Sequence, residues 1–471
     1  MENGTQENGQ RRITKSFPVF DCDAHVNDPV EIWDKYVEPE YRDLVKRAYW
    51  CKGASGFINE RQAVISGNTE TGGPEFINLN ALTVSGPGVN KRVKRRLMRS
   101  RLNYEQLSYL DHRGAYDPHA RVRDLDLMGI DQVLVIPTML INNLYFVEHP
   151  EGAAAFARAY NNWVCDWCKA HPQRLFPAAI FALQNTRLAV EEIYRVAKLG
   201  FRVVLLRPID AGGLYPNRLD TGPERATSHG KFGPNYTDAL FRAIEETGMV
   251  LGMHTFTPPL GVGMEVDEKP ISPGDILTRT GAGTGRVIVG STFSFIFEAM
   301  TWLSQVLLSG FLDRYPKLKM AIFESNAAWL PELLEHCDLM VKLYANERKT
   351  PLKRLPSEAF YDQCMISFEA DEELVFRTYK KFEDIGVWAS DSYHPDAEDV
   401  WEAIRHMDRA DVPQSAQAKM LGANARRFYG IESKMFVTEE APPIQRPDWF
   451  PREDEEFRQW WQREVNQKNV Y

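Results

Sequence analysis

Cysteine is scarce in this chain of 471 residues: six thiols, Cys22, Cys51, Cys165, Cys168, Cys337 and Cys364, are too few for a disulfide framework. No apolar stretch follows the polar residues 1–16, with their Arg11, Arg12 and Lys15, so no secretory signal is read and the thiols are expected to be reduced. Nowhere do about 18 apolar residues run together, so no segment is expected to span a membrane. Positive charge is not in excess either. The net charge of −9 argues against a generally basic nucleic-acid-binding surface. These absences leave a cytoplasmic globular enzyme as the expectation, and 44% hydrophobic with 26% charged residues suits a chain with a large core. Cys165 and Cys168 form a C-x-x-C pair, but they lie in a stretch of helical periodicity with no second pair to complete a zinc tetrad, and read as two helix-borne thiols.

What is present is alternation. Short apolar runs at Pro18–Asp21, Gln132–Ile136, Phe176–Ile180, Val203–Arg207, Val250–His254, Met320–Glu324, Met365–Phe368 and Val387–Ser390 read as eight strands. Helical patterns lie between most of them, at Gly152–Ala170, Arg187–Lys198, Thr237–Thr247, Thr301–Tyr315, Leu330–Ala345, Asp371–Lys381 and Asp396–Met407. Strands alternating with helices predict a parallel α/β architecture, and eight strands with interleaved helices predict a (β/α)8 barrel, for which about 250 residues suffice. The surplus is assigned to insertions after strands one, four and five, near 38–120, 209–235 and 255–297, which are expected to cap the pocket. Residues 1–16 are expected to be a disordered lead. Residues 431–471, with Pro442, Pro443, Pro447 and Pro451 and the acidic, aromatic stretch Trp449–Trp461, are expected to wrap the barrel or a partner subunit.

Barrel enzymes gather their chemistry at the C-terminal ends of the strands. Here strand one ends on Asp23 and His25, strand five on His254, strand six on Glu324 and strand eight on Asp391. Asp23 and His25 are two apart, so an extended chain points both the same way. Any one of these residues alone has an ordinary explanation, a hydrogen-bonded histidine or a capping aspartate. Five of them at four strand ends of one barrel point to a metal, because buried charges are rarely tolerated unpaired. Two imidazoles with two or three carboxylates suit Zn²⁺, Mn²⁺ or Fe²⁺.

The motifs resemble those of the amidohydrolase-related superfamily, in the branch of the aminocarboxymuconate-semialdehyde decarboxylase-like proteins. Asp21-Cys22-Asp23-Ala24-His25 is similar to the opening metal motif in an Asp-x-His variant. Tyr160-Asn161-Asn162-Trp163, Phe311-Leu312-Asp313-Arg314-Tyr315-Pro316, Trp329-Leu330-Pro331 and Ser390-Asp391-Ser392-Tyr393-His394-Pro395 match in order over roughly 20–429. The resemblance implies a metal-dependent barrel with Asp23, His25, His254 and Asp391 as ligands. It also implies frequent homodimers.

One position departs from the pattern. The decarboxylases usually carry a proton-moving His after strand six, whereas this chain has Glu324-Ser325-Asn326-Ala327-Ala328. Glu324 is therefore a candidate general base or a further ligand, and His394 a candidate ligand or catalytic partner. Three carboxylates around one ion call for more positive charge, which a second metal would supply. The leading expectation is a dinuclear non-heme iron, or iron/manganese, monooxygenase using O2 on an organic acid or its thioester. The alternative is a mononuclear Zn²⁺ or Mn²⁺ hydrolase or non-oxidative decarboxylase of a carboxylic acid.

Arg207, at the end of strand four, and Trp329 are the substrate-binding candidates. The run 91–101 holds seven cationic side chains, read either as a solvated helix face or as a phosphate contact for a coenzyme A thioester. Too few aromatics flank it for nucleic-acid stacking. Gly281-Ala282-Gly283-Thr284-Gly285-Arg286 lacks the ending of a phosphate loop and reads as a lid segment.

Overall fold

The apolar runs become eight strands, each hydrogen-bonded in parallel to the next in chain order. They are β1 (Phe20–Val26), β2 (Gln132–Pro137), β3 (Leu175–Ile180), β4 (Val203–Leu206), β5 (Val250–His254), β6 (Lys319–Phe323), β7 (Cys364–Phe368) and β8 (Gly386–Trp388). This is a computed structural model, and it describes residues 12–26, 32–42, 113–138, 140–144, 149–206, 237–255, 292, 295–347, 351–394, 397–442 and 447–450. The strands are buried almost throughout, as expected where helices cover the outside of a parallel sheet and side chains fill its inside.

The helices that cover them are α1 (Pro118–Met128), α2 (Pro150–Cys168), α3 (Thr186–Lys198), α4 (Thr237–Thr247), α5 (Phe295–Ser309), α6 (Leu330–Leu343), α7 (Pro356–Gln363), α8 (Glu373–Arg377), α9 (Val400–Arg409) and α10 (Asn424–Tyr429). Their starts are legible in the chain. Asp117 accepts from His119 N at 2.8 Å ahead of Pro118, Asn185 from Leu188 N at 3.2 Å, and Asp399 from Glu402 N at 3.0 Å. Helix α1 stops at Gly129, whose φ of 76° favours glycine and which lies so close to Trp401 that a Cβ would meet the indole at 2.5 Å. Two helices differ from expectation. The stretch predicted as Thr301–Tyr315 begins earlier, at Phe295, and is broken by Gly310 at φ 81°. The stretch predicted as Asp371–Lys381 is a five-residue helix followed by a 3-10 turn.

The ring closes at its mouth through the segment that follows the short β8. Ala24 bridges Ser392, Asp391 N donates to Asp23 O at 3.0 Å, and His25 N donates to Ser392 O. At the opposite end the first described residues lie against the segment near 438–440. Residues 12–16, expected to be disordered, pair with the C-terminal segment: Lys15 N donates to Thr438 O and Glu440 N to Ile13 O, both at 2.9 Å. The C-terminal extension thus crosses the base of the barrel, as far as residue 442. Residues 43–112, 207–236 and 256–291 lie outside the described residues, and with them Arg207, the basic run, the glycine-rich segment 281–286 and nearly all of the expected cap.

Candidate metal centre

Strand β1 does not run in simple register with β2: Asp21 pairs with Val133 and Ala24 with Val135, so the chain bulges at Cys22 and Asp23. Bulges re-aim side chains. Asp23 and His25 here reach one place: His25 Nε2 is 3.3 Å from Asp23 Oδ1. His254 comes in from the last residue of β5, with Nε2 3.5 Å from Asp23 Oδ2. Asp391 comes from the segment closing the ring, with Oδ1 3.3 Å from His25 Nε2 and 2.8 Å from His394 Nδ1. Ligand atoms of Asp23, His25 and His254 all lie within 4.8 Å of one another, and so do those of His25, Asp391 and His394.

The residues fit a cation. His25 Nδ1 lies 3.2 Å from Pro137 O, and His254 Nδ1 2.7 Å from Thr255 O. A carbonyl oxygen only accepts, so each Nδ1 carries the proton of the neutral ring and each Nε2 turns its lone pair toward the carboxylates. With both rings neutral, lone pairs would face lone pairs in a buried space. Asp23 Oδ1, His25 Nε2 and Asp391 Oδ1 are close but make no aligned hydrogen bond, although buried polar groups are nearly always satisfied. A positive charge resolves this arrangement. Burial disfavours charge on His25, yet Asp23 and Asp391 outweigh it and push the imidazole up to about 10. Burial likewise works against ionised Asp23 and Asp391, but His254 and His25 around the first, and His394 and His25 around the second, hold both below the ordinary carboxylate range. A proton on His25 is here the stand-in for a metal ion.

Glu324 follows β6 in a left-handed conformation, φ 48°. Its Oε2 lies 3.3 Å from His254 Nδ1 and its Oε1 3.9 Å from His394 Nδ1, so it sits beside the imidazoles and in neither three-residue set. Its side chain and that of His394 are 15% and 16% accessible, whereas His25 and His254 are fully enclosed, so these two groups form the open side of the cluster. Trp329 supports the turn: its indole N–H donates to Ser325 O at 2.8 Å and lies 3.1 Å from Asn326 O. Thr255 Oγ1 donates to Glu324 O.

Sequence reasoning gave no role to Asp21, Glu372 or Arg121. Glu372, pushed up by burial, accepts from Ala327 N at 2.8 Å and Glu369 N at 2.9 Å and so ties the turn after β6 to the one after β7. Arg121 donates to His25 O and lies over the Tyr393 ring at 4.6 Å. Asp21 was visible within the opening motif, but what it binds depends on the bulge. A cleft of about 340 Å³ lined by Gln132, Cys165, Cys168 and Arg202 opens at the other end of the barrel and contains none of these groups.

Imidazoles and carboxylates converging at the C-terminal mouth of a (β/α)8 barrel define a metal-dependent barrel enzyme. The chain belongs to the amidohydrolase family, whose model matches residues 21–431. None of the curated proteins matches it. Solved structures do. An amidohydrolase from Mycobacterium avium subsp. paratuberculosis K-10 superposes with a TM-score of 0.60 at 16% identity, covering 88% of this chain and all of that one. The 5-carboxyvanillate decarboxylase of Novosphingobium aromaticivorans, complexed with manganese and 4-hydroxy-3-methoxy-5-nitrobenzoic acid, gives 0.57 at 19%, covering 88% and 96%. The dihydroxybenzoic acid decarboxylase of Polaromonas sp. JS666, with bound manganese and 2-nitroresorcinol, gives 0.55 at 15%, covering 88% and 97%. At such identities these likenesses establish a shared fold.

Proposed function

We propose that this protein is a mononuclear Mn²⁺- or Zn²⁺-dependent enzyme that releases CO2 from an organic carboxylic acid without oxidation. The observation that carries the metal is the set of buried, facing acceptor atoms on Asp23, His25 and Asp391. What favours this chemistry over two irons and O2, the expectation raised from sequence, is that both three-residue sets include His25, whose Nδ1 faces Pro137 O and whose Nε2 lies 3.3 Å from Asp23 and from Asp391 alike, and one nitrogen lone pair serves one ion. The manganese in both decarboxylases, with a nitrobenzoic acid in one and 2-nitroresorcinol in the other, supports the same direction.

Asp23, His25, His254 and Asp391 would hold the ion. When bound, it supplies Lewis-acid polarisation of a substrate oxygen. In decarboxylation the bond from carbon to carboxylate breaks, its electron pair stays on carbon, and a proton must arrive there. Glu324 is the group on the open side that holds and delivers that proton, with His254 and His394 beside it. The enclosed walls of the cluster keep water from competing for it.

The test is to load the apoprotein with Mn²⁺ or Zn²⁺, offer a panel of hydroxylated benzoic acids, and measure CO2. Release that disappears with chelator and in His254→Ala supports the reading. O2 consumption by the iron-loaded protein, with no CO2 released by the other two metal forms, overturns it.

A further inference from the structure

The structure assigns to Asp21 a positioning role in the metal centre: its carboxylate touches no ion, and it sets where Asp23 and Asp391 stand relative to each other across the seam of the barrel. The assignment rests on reading the cluster as a metal centre.

Each of the two ligand segments lacks part of the regular sheet pairing that would fix it. Asp23 sits in the bulge of β1, where the ladder to β2 skips a register. The last bond of β8 to β7 is from Ala389 N to Phe368 O at 3.0 Å, and residues 390–392 lie beyond that ladder. Neither ligand is placed by regular sheet pairing alone. Asp21 ties both segments down. Its Oδ1 accepts from Asp23 N at 3.1 Å and from Ser390 N at 3.0 Å, and its Oδ2 accepts from Ser390 Oγ at 2.5 Å. Ser390 Oγ in turn accepts from Ser392 N at 3.0 Å, and Ser392 O takes the amide of His25. Asp391 N closes the loop on Asp23 O at 3.0 Å. One fully buried carboxylate thus holds the amide of one ligand and the amide of the residue preceding another.

A fully buried carboxylate with no cationic side chain hydrogen-bonded to it among the described residues is a costly choice for fold stability alone, since an apolar side chain would fill the same space. Aiming two ligands to within a fraction of an ångström is what this costly group does best, and outer partners of metal ligands typically govern affinity by about 10–100-fold.

The experiment compares wild type with Asp21→Ala, Asp21→Asn and Ser390→Ala. A control, Gln363→Ala, removes a buried side chain that holds Tyr315 O and Leu318 O elsewhere in the fold. Asparagine keeps the shape and one acceptor, so it guards against misfolding of the alanine variant. Binding of Mn²⁺ alone to each apoprotein is measured by calorimetry and by loss of the free-ion EPR signal. Visible spectra of the Co²⁺-loaded proteins and thermal midpoints of the apoproteins are recorded in parallel. The assignment expects the Kd for Mn²⁺ to rise by about 10–100-fold in Asp21→Ala, less in Asp21→Asn and Ser390→Ala, with altered Co²⁺ spectra in all three. Gln363→Ala should lose stability and keep wild-type affinity and spectrum. If the Asp21 variants behave as Gln363→Ala does, the role is structural and the assignment falls. If wild type itself binds neither Mn²⁺ nor Co²⁺, the metal reading falls instead, and the flat wild-type titration separates the two failures.

Discussion

The two ends of this barrel treat a buried aspartate in opposite ways. At the base, Asp131 is fully engaged: Oδ2 takes Lys15 Nζ at 2.5 Å and Val19 N at 2.7 Å, and Oδ1 takes Phe436 N at 2.5 Å and Val437 N at 2.9 Å. Arg174 reinforces the spot through Asp131 O at 3.0 Å and Ile130 O at 2.6 Å. At the mouth, Asp23 Oδ1 and Asp391 Oδ1 face an imidazole nitrogen without an aligned bond. One end satisfies its charge with protein and joins the segment 12–19 to the segment 434–440. The other keeps its charge available to a ligand. The base carries stability and the mouth carries chemistry, the division expected for barrels of this type.

Exchanging the two kinds of aspartate should separate the two properties. The largest effect is expected at the mouth: Asp391→Asn should weaken metal binding by more than about 100-fold, beyond what outer partners control, and decarboxylation should fall with it. Metal content and turnover measure both. Next, Asp131→Ala should lose about 3–5 kcal/mol of unfolding free energy, because Lys15 and three amides lose their partner inside the protein. Urea denaturation reads that loss, and Mn²⁺ affinity of the folded fraction should not change. A base substitution that abolished metal binding at full stability would break the comparison.

Chelation should give a smaller shift. Removing an ion present at about 100 times its Kd lowers wild-type stability by about 2.7 kcal/mol and leaves Asp391→Asn nearly unaffected, as thermal midpoints would show. The smallest effect concerns Asp399, the cap of α9, where burial outweighs the Glu402 amide and pushes the carboxyl up to about 7. A carboxyl raised in the folded state binds its proton there when the unfolded chain has released it. Stability from this group is therefore greatest below the unfolded value near 3.8 and declines as pH rises toward 7. Asp399→Asn, which does not titrate, should match wild type near pH 4 and gain on it up to pH 7. Denaturation midpoints across that range test the sign.

How far the chain could be read depended on whether a feature was local. Strands β2 to β8 were legible because each is a short apolar run with clear ends. The first was placed at Pro18–Asp21, whereas β1 is Phe20–Val26. Asp23 and His25 interrupt its apolar run because they are the working residues of the strand. His254, Glu324 and Asp391 were recognisable as strand-end groups. That Glu324 stands beside the imidazoles, and that the two possible ligand sets share His25, depend on distances no spacing encodes. The preference for two irons came from counting carboxylates, and a count does not reveal that one nitrogen is asked for twice. Asp21 and Ser390 were overlooked for a similar reason: their partnership spans 369 positions and exists only once the ring has closed.

The central claim is that the mouth cluster holds one divalent transition-metal ion. The most direct measurement is metal analysis of the purified protein, before and after loading with Mn²⁺ or Zn²⁺, beside Asp23→Asn and His254→Ala. One tightly held ion per chain is expected in wild type and none in either variant. A wild-type protein that retains no ion, or variants that retain it as firmly as wild type, would contradict it.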